Sequence, residues 1–323
     1  MIVPNLPVPS HPSHDIMDST KLKEYMECPR KFFFKYILGW NSSRPSNHLV
    51  FGSAVHLAME HLILNGYHAN AVVDAMELFN SHYREQFPQE TDFLYEPKTP
   101  MRFFGLLLEY IKEYATDHAD FEVYKTEIGG TIPLSSNPNH VLAWKMDTIL
   151  FNRHTQMYFS LEHKTKQGNS INKSYEIDFK MGPQVGTYTH VLNSLFNPMD
   201  VEGIIINCMC MKKTKQPEFI LKRIPIHMNN TNMLVWLEMC KSWLDTIHLD
   251  YLALSDASDK DDVLKPFKMN PGSCSNWGAT CQYCDLCQSW PNPLQHLHQM
   301  PLDMELRFWD PLVEENLKEI MKL

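Results

Sequence analysis

The spacing of apolar residues changes about a third of the way along the chain. In the first part apolar positions recur every three or four residues, which predicts helices over 19–40, 53–65, 69–86 and 103–118. The first of these segments contains Cys28-Pro29. Because proline favours the first turn of a helix and disfavours helix just before it, we expect two short helices joined at this point.

The middle of the chain has the composition of β-strands. Five segments of strand length are rich in β-branched and aromatic residues: 121–128, 141–152, 157–165, 201–210 and 218–226. Helical patterns at 184–196 and 232–254 lie between and after them. This order predicts an α/β fold with one central mixed sheet flanked by helices, preceded by a helical region and followed by a tail.

These patterns divide the 323 residues into four parts. We expect a flexible Pro-rich leader at 1–18, a helical region at 19–120, the sheet core at 121–264, and a cysteine-rich tail at 265–323 that ends in a helix. The leader has no basic flank followed by an apolar run, so it predicts neither a signal peptide nor a membrane span. We therefore expect a cytoplasmic protein.

The charge distribution limits the classes of partner. A net charge of -9 argues against a broadly basic nucleic-acid coat protein, but it leaves room for a local basic groove. Basic residues do cluster in three short runs, at 28–35, 163–166 and 211–215. The alternative for each run is an ordinary solvated surface.

Charged residues in the predicted sheet point to chemistry. Successive side chains of a strand face opposite ways, so Glu162 and Lys164 share one face of their strand while His163 lies on the other. Asp147 interrupts the apolar strand before it, where a hairpin could bring it opposite Glu162. Two converging carboxylates suit a hard divalent cation, and a neighbouring lysine suits phosphodiester hydrolysis. A partly buried ion pair at the sheet is the structural alternative.

These residues resemble a known family. Asp147 followed by Glu162-His163-Lys164 resembles the D…(D/E)-x-K signature of the PD-(D/E)XK nuclease superfamily. FGSAVHLAME, which contains His56, and PQVGTYTHV, which contains Gln184 and Tyr188, resemble two further motifs of its RecB-type branch. The resemblance implies a restriction-endonuclease-like sheet and a DNA nuclease that uses Mg²⁺ or Mn²⁺, most simply an exonuclease.

The resemblance also implies roles for individual residues. Its metal ligands would be His56, Asp147, Glu162 and the backbone carbonyl of His163, and the imidazole favours Mn²⁺ over Mg²⁺. Lys164 would help to position the attacking water, with Gln184 and Tyr188 beside the active site and Glu127 as a further acidic candidate. The residues expected to contact phosphate are Arg30, Lys31, Lys166, Lys212, Lys213 and Lys215.

Five cysteines suggest a second metal-containing centre. CSNWGATCQYCDLC places Cys274, Cys281, Cys284 and Cys287 within fourteen residues, and Cys28 lies near the start of the chain. The chain resembles RecB-type nucleases such as AddB and the CRISPR-associated exonucleases, in which one early and three late cysteines bind a 4Fe-4S cluster. The resemblance implies Cys28 and three of the four tail cysteines as ligands. The tail departs from the usual family spacing, C-x2-C-x5-C, and we favour Cys274, Cys281 and Cys287 because five residues separate the last two, with Cys284 as the competing candidate. A zinc site made by the tail cysteines alone is the alternative.

Two further functions stay open at this point. The chain could be a non-catalytic subunit that binds DNA ends, or a nuclease subunit that works within a helicase complex. The sequence contains no G-x-x-x-x-G-K-[ST] motif, so we expect any helicase motor or recombination partner to be a separate chain. The expected substrate is DNA, as ends or single strands, in recombination, repair or viral genome processing.

Overall fold

The computed structural model of the chain describes residues 1–180, 182–213, 218–276, 279–313 and 317–323. Its helices are α1 (Ser19–Glu27), α2 (Pro29–Phe32), α3 (Asn47–Asn65), α4 (Ala69–Arg84), α5 (Asp92–Tyr95), α6 (Pro100–Glu113), α7 (Asp117–Asp120), α8 (Lys173–Lys180), α9 (Pro183–Leu195), α10 (Asn230–Ser255) and α11 (Cys284–Ser289). Its strands are β1 (Trp40–Ser42), β2 (Phe121–Pro133), β3 (Val141–Asn152), β4 (Met157–Gln167), β5 (Val201–Met211), β6 (Phe219–Ile226), β7 (Ser275–Asn276), β8 (Ala279–Thr280), β9 (Met304–Leu306) and β10 (Glu319–Lys322).

The central sheet is mixed, as the sequence predicts. Its strand order is β10-β2-β3-β4-β5-β6. The pairs β2–β3, β3–β4 and β5–β6 are antiparallel, whereas β4 and β5 are parallel because α8 and α9 cross between them. The five predicted strands are all present, and β2 continues five residues beyond its predicted end, to Pro133.

The predicted helix at the C-terminal end of the chain is wrong. The last described segment forms β10, which pairs in parallel with β2 at the edge of the sheet. Gly130 of β2 makes this pairing feasible, since a Cβ at that position would overlap the carbonyl oxygen of Met321. The edge strand β2 thus gains a hydrogen-bonded neighbour from the end of the chain.

The first two helices join the core of the sheet. Cys28 separates α1 from α2, as predicted, and Asp18 caps α1 by accepting a hydrogen bond from the Lys21 backbone N–H at 2.7 Å. Phe32, Phe33 and Phe34 are each 0% exposed and pack with residues of β2, β3 and α10. Their role is core packing.

The longer N-terminal helices form a second hydrophobic cluster. Phe51 of α3, Phe79 of α4 and Phe103 of α6 are fully buried against one another, and they cover Met209 and Met211 of β5. The predicted helical region therefore divides between two clusters, one around the main sheet and one beneath α3, α4 and α6. No helix in the described ranges has both the length and the apolar character needed to cross a membrane.

The N-terminal segment 1–18 is packed, contrary to the prediction of a flexible leader. Val8, His14 and Met17 are 7%, 3% and 1% exposed. His14 Nε2 lies 3.1 Å from the carbonyl oxygen of Ile37. The Pro-rich composition gave no sign of these contacts, because they are made with residues distant in the chain.

The buried cysteines outside the tail behave as packing residues. Cys208 and Cys210 of β5 and Cys240 of α10 are each 0% exposed. Burial raises the pKa of Cys240 to about 12, so its thiol stays neutral.

Candidate active site

Three carboxylates lie side by side on three neighbouring strands. Glu127 of β2 and Asp147 of β3 occupy opposing positions of an antiparallel pair. Glu162 of β4 lies one residue beyond the last β3–β4 pair, next to Asp147. The three residues are only 4%, 8% and 1% exposed. Buried like charges are unfavourable unless cations compensate for them, so this row of acids suits a positively charged ligand.

Glu127 reaches the site because its backbone is unusual. Its φ of 46° lies in the left-handed region, which non-glycine residues adopt only when the surrounding structure imposes it. The Glu127 carbonyl accepts a hydrogen bond from the backbone N–H of Lys318, at 2.8 Å, just before β10 begins. Its Oε2 lies 3.0 Å from Lys145 Nζ. The C-terminal segment therefore supports one of the three acids.

His56 of α3 completes the tightest group of potential metal ligands. One ligand atom each from His56, Glu127 and Asp147 lie within 4.8 Å of one another. His56 Nδ1 is 3.1 Å from Asp147 Oδ1, and the other oxygen of Asp147 accepts the backbone N–H of His163 at 2.8 Å. Both carboxylate oxygens of Asp147 are therefore held in place.

Asp147 and His56 shift each other's protonation. Burial alone would raise the pKa of Asp147, but the charge and hydrogen bond of His56, together with Lys164, outweigh it and hold that pKa below its usual value. Burial lowers the pKa of His56, but the charge of Asp147 reverses this and raises it. Without a bound cation, Asp147 is thus ionised and His56 compensates for its charge.

Glu162 has the opposite character. Burial, followed by repulsion from Asp147, raises its pKa from 4.5 to about 8. Its Oε1 accepts a hydrogen bond from Ser160 Oγ at 2.6 Å, whereas its Oε2 is buried and has no hydrogen-bond partner among the described residues. Native proteins seldom leave such an oxygen unsatisfied. A divalent cation beside Asp147 would satisfy it, so the donor set fits a metal ion.

These acids line a cavity of about 600 Å³. Lys164 of β4 and Gln184 and Tyr188 of α9 line the same cavity, so all the predicted catalytic side chains are brought together. Gln184 Nε2 donates to Tyr188 Oη at 3.0 Å, and the Tyr188 hydroxyl donates to the carbonyl of Lys145. The Gln184 and Tyr188 side chains thus fasten α9 to β3.

The side chain of His163 points away from the acids. Its Nδ1 lies 2.8 Å from Asn207 Nδ2, and the residue is 2% exposed. Burial lowers the pKa of His163 to about 3, so the ring is neutral. His163 contributes its backbone N–H to Asp147, and its carbonyl remains the predicted ligand.

Two residues of this site are absent from the sequence prediction. Ser160 lies two positions before Glu162, and Lys145 lies two positions before Asp147. The two-residue period of a strand places each on the same face as the acid that follows it, and that period is the signal that would have found them.

Two residues predicted to contact phosphate are occupied elsewhere, and that prediction is wrong for them. Arg30 is 4% exposed and donates to the carbonyls of Leu264 and Phe267, each at 2.9 Å. Lys31 forms ion pairs with Glu24 and Glu27. Neither cation is placed to receive a phosphate.

The other predicted basic residues are closer to expectation. Lys166 Nζ lies 4.1 Å from the centre of the Tyr175 ring. Lys213 is exposed, and Lys212 is partly buried. Burial, Lys98 and Lys213 lower the pKa of His48, which lines the cavity. Lys215 lies outside the described residues.

The cysteines of the two chain ends meet. The backbone N–H of Asn270 lies 3.4 Å from the sulfur of Cys28, and the N–H of Cys281 donates to the carbonyl of Cys274 at 2.9 Å. Burial raises the pKa of Cys287 to about 12; Arg30 opposes this, while Cys28, Cys281 and Cys274 add to it. The thiols of Cys28, Cys281 and Cys274 are thus close enough to Cys287 to raise its pKa.

Cys284 borders the same group. It contributes to the raised pKa of Cys274, after burial, and its sulfur lies 3.6 Å from Gln288 Nε2. No three cysteine sulfurs of the described chain lie within 4.8 Å of one another.

The sequence and the fold were compared with those of known proteins. The PD-(D/E)XK nuclease superfamily matches residues 19–288 of the chain. The structure is also similar to the crystal structure of a protein named as a putative exonuclease from Eubacterium rectale. The two chains share 12% sequence identity with a TM-score of 0.45, over 85% of this chain and 88% of that one. No curated protein matches the sequence.

The match extends over most of the chain and includes every element that carries the acids, and the chain belongs to the PD-(D/E)XK nuclease superfamily. Members of this superfamily are nucleases that use divalent metal ions, and the group His56, Glu127 and Asp147 is a candidate site for such an ion.

Proposed function

We propose that this chain is a metal-dependent deoxyribonuclease, most simply an exonuclease, stabilised by a 4Fe-4S cluster. One observation carries the nuclease proposal. Three buried carboxylates on neighbouring strands share a cavity with His56 and Lys164, and one carboxylate oxygen, Glu162 Oε2, is buried and has no hydrogen-bond partner in the described ranges. A stable core does not need this arrangement, because unpaired buried acids oppose folding.

The residues that would hold the divalent ion are His56, Glu127, Asp147 and Glu162, with the carbonyl of His163 as a further ligand. When bound, the ion supplies positive charge that offsets the charge developing on the phosphate oxygens. The imidazole of His56 favours Mn²⁺ over Mg²⁺. We include Glu127 among the ligands because one of its carboxylate oxygens lies within 4.8 Å of ligand atoms of Asp147 and His56.

The chain's own groups position the reaction. Asp147 keeps its orientation through the His56 imidazole and the His163 N–H. Lys164 places an ammonium in the same cavity, where it would orient the attacking water and stabilise the phosphate charge. A bond forms between that water oxygen and phosphorus while the phosphorus–oxygen ester bond breaks. The products are a hydroxyl end and a phosphate end.

A nuclease assay tests this proposal. Purified wild type with Mn²⁺ or Mg²⁺ should degrade a labelled DNA oligonucleotide, and Lys164→Ala should reduce the rate by about a hundredfold or more. Lys23→Ala is the matched control, because Lys23 is an exposed lysine of α1 that does not line the cavity. Equal activity of wild type and Lys164→Ala would overturn the assignment.

The cysteine group supports an iron–sulfur cluster over tail-only zinc. Cys28 belongs to the group, whereas a zinc site made by the tail would not involve it. Tying residue 28 to residues beyond 270 would close a long loop around the catalytic core, and such a closure stabilises a fold by restricting the unfolded chain.

Iron content separates these possibilities. Anaerobically purified protein should be brown and contain about four irons per chain. Cys287→Ala should lose the iron, and Cys284→Ala, three residues away, should retain it. Stoichiometric zinc in colourless protein, retained by Cys28→Ala, would contradict the cluster.

The proposed partners are DNA and a protein that supplies its ends. Burial, Lys98 and Lys213 lower the pKa of His48, which lines the cavity, and we propose that Lys213 and His48 contact the DNA strand. A separate helicase or recombination protein would present unwound strands to the enzyme in a cytoplasmic setting. The salt dependence of binding tests the DNA contact, since neutralised phosphates release counterions.

A further inference from the structure

The cavity that holds the acids has one accessible aromatic surface. Trp144, Tyr188 and Trp309 line it, along with three histidines. Trp144 and Tyr188 are 2% and 5% exposed, so their rings are part of the core, whereas Trp309 is 36% exposed. Among these large rings only the indole of Trp309 offers area to a ligand.

The indole is held in place from one edge. Trp309 Nε1 donates a hydrogen bond to Asp18 Oδ2 at 2.9 Å. The other oxygen of Asp18 accepts the backbone N–H of Lys21, and Asp18 forms a bridge with Ala143 of β3. The backbone beside Trp309 is also fixed, since the Arg307 N–H donates to the carbonyl of Gly39 at 2.8 Å. A ring fixed by its edge keeps its orientation when a ligand binds.

The faces of this ring are not used by the protein's own aromatic residues. Trp40, Trp236, Trp243 and Trp290 each contact another aromatic ring, whereas Trp309 contacts none within the described part of the chain. Trp144 likewise contacts no aromatic ring but is buried, so among the described tryptophans only Trp309 combines an exposed ring with the absence of an aromatic neighbour.

We propose that Trp309 stacks on an unpaired nucleobase next to the scissile phosphate, so that the enzyme acts on a single strand or a frayed end. This inference rests on the nuclease function proposed above. Aromatic side chains bind bases of any sequence through their faces. In a paired duplex those faces are covered by neighbouring base pairs, so a stacking side chain selects a base that has left the stack.

The burial of the acids agrees with this substrate. Glu127, Asp147 and Glu162 are each less than a tenth exposed and line a cavity of about 600 Å³. This is the size of a pocket for one small ligand. A phosphate that reaches these acids brings its own nucleoside into the cavity, which leads past Trp309.

Cleavage of single-stranded oligonucleotides tests the inference. One substrate has all its bases, and a series of others carries a single abasic residue at successive positions. Trp309→Ala should lower kcat/KM on the intact strand between about fivefold and about a hundredfold. Trp309→Phe keeps a ring and should retain most of the activity. Phe93→Ala is the matched control, since Phe93 is 75% exposed on α5 and does not line the cavity.

The abasic series distinguishes stacking from a structural role. At the stacking position the abasic substrate should reduce wild type to the level of Trp309→Ala and leave Trp309→Ala unchanged. Three results would each overturn the inference: activity of Trp309→Ala equal to wild type, equal losses on every substrate, or Trp309→Phe as impaired as Trp309→Ala.

Failure of the nuclease proposal would look different. In that case wild type would be as inactive as Lys164→Ala on every strand. Fluorescence anisotropy with the same oligonucleotides then measures binding, which tests base stacking independently of cleavage. Tighter binding of the intact strand than of the abasic one, by wild type and not by Trp309→Ala, supports it, and equal binding overturns it.

Discussion

The carboxylate cluster and the cysteine cluster are assembled in opposite ways. The acids come from three consecutive strands, and the protein itself fixes them: His56 and the His163 N–H hold Asp147, and Ser160 holds Glu162. The cysteines come from both ends of the chain, and no three of their sulfurs in the described residues lie within 4.8 Å of one another.

This difference indicates which of the two clusters contributes to the stability of the fold. The acids repel one another, and His56 and Lys145 offset only part of this repulsion, so the fold supports the site until a cation binds. The cysteines join distant segments, so a ligand held by them would support the fold. Substitutions in the first region should reduce activity, and substitutions in the second should reduce stability.

Glu162→Gln should have the largest effect on activity. It keeps the shape and the hydrogen bond to Ser160 but removes a ligand charge, so we expect cleavage to fall by about a hundred- to a thousandfold. At pH 8 the thermal midpoint of the metal-free protein should stay equal or rise, because the neutral amide replaces a buried acid whose ionisation opposes folding. A midpoint lowered by about ten degrees would show that Glu162 stabilises the fold, which would contradict the expected difference between the carboxylate and cysteine clusters.

The same variant predicts a pH dependence. Because the pKa of Glu162 is raised in the folded state, the folded protein binds this proton more tightly than the unfolded chain does. The stability of the metal-free wild type should therefore fall as pH rises from 4.5 towards 8, and Glu162→Gln should lack this component. Urea unfolding of both proteins at pH 5 and pH 8 measures the difference.

Cys28→Ala should have the largest effect on stability. Loss of a ligand that closes the long loop should reduce the free energy of unfolding by about 5 kcal/mol. The matched control is Cys240→Ala, which removes an equally buried thiol outside the group and should lose about 1–2 kcal/mol. At low temperature the folded Cys28→Ala protein should still cleave DNA. Equal losses in the two variants would contradict the stapling role.

Gly130→Ala should lower both the stability of the fold and the cleavage activity. A Cβ at this position would overlap the Met321 carbonyl, so β10 should detach from β2. The free energy of unfolding should fall by about 1–3 kcal/mol. Since β10 carries the support for the Glu127 carbonyl, cleavage should also fall. Gly52→Ala is the control for stability, because a Cβ there meets nothing within 4 Å. Unchanged activity would show that β10 does not support the position of the acids.

Lys213→Ala should have the smallest effect. Removing one exposed phosphate contact should weaken DNA binding modestly and reduce the slope of log affinity against log salt by about one. Lys112→Ala, on the exposed side of α6, should leave the slope unchanged. An unchanged slope for Lys213→Ala would show that this lysine does not contact a DNA phosphate.

The sequence predicts the sheet and the meeting of Asp147 with Glu162, because strand period and hairpin order determine which residues face each other. The position of Glu127 is harder to predict, since it depends on a left-handed backbone. That conformation is supported by a strand from the far end of the chain. Arg30 is misassigned for a similar reason, because its carbonyl partners lie more than 230 residues away. Local pattern carries no information about such distant contacts.

The most direct test of the shared metal site is anomalous X-ray scattering from crystals soaked in Mn²⁺, measured at the manganese edge. We predict a peak bounded by His56, Glu127, Asp147 and Glu162, with Glu162 Oε2 as one of its ligands, and the loss of that peak in Glu162→Gln. A manganese ion bound elsewhere, with these four side chains left without one at saturating Mn²⁺, would contradict the account.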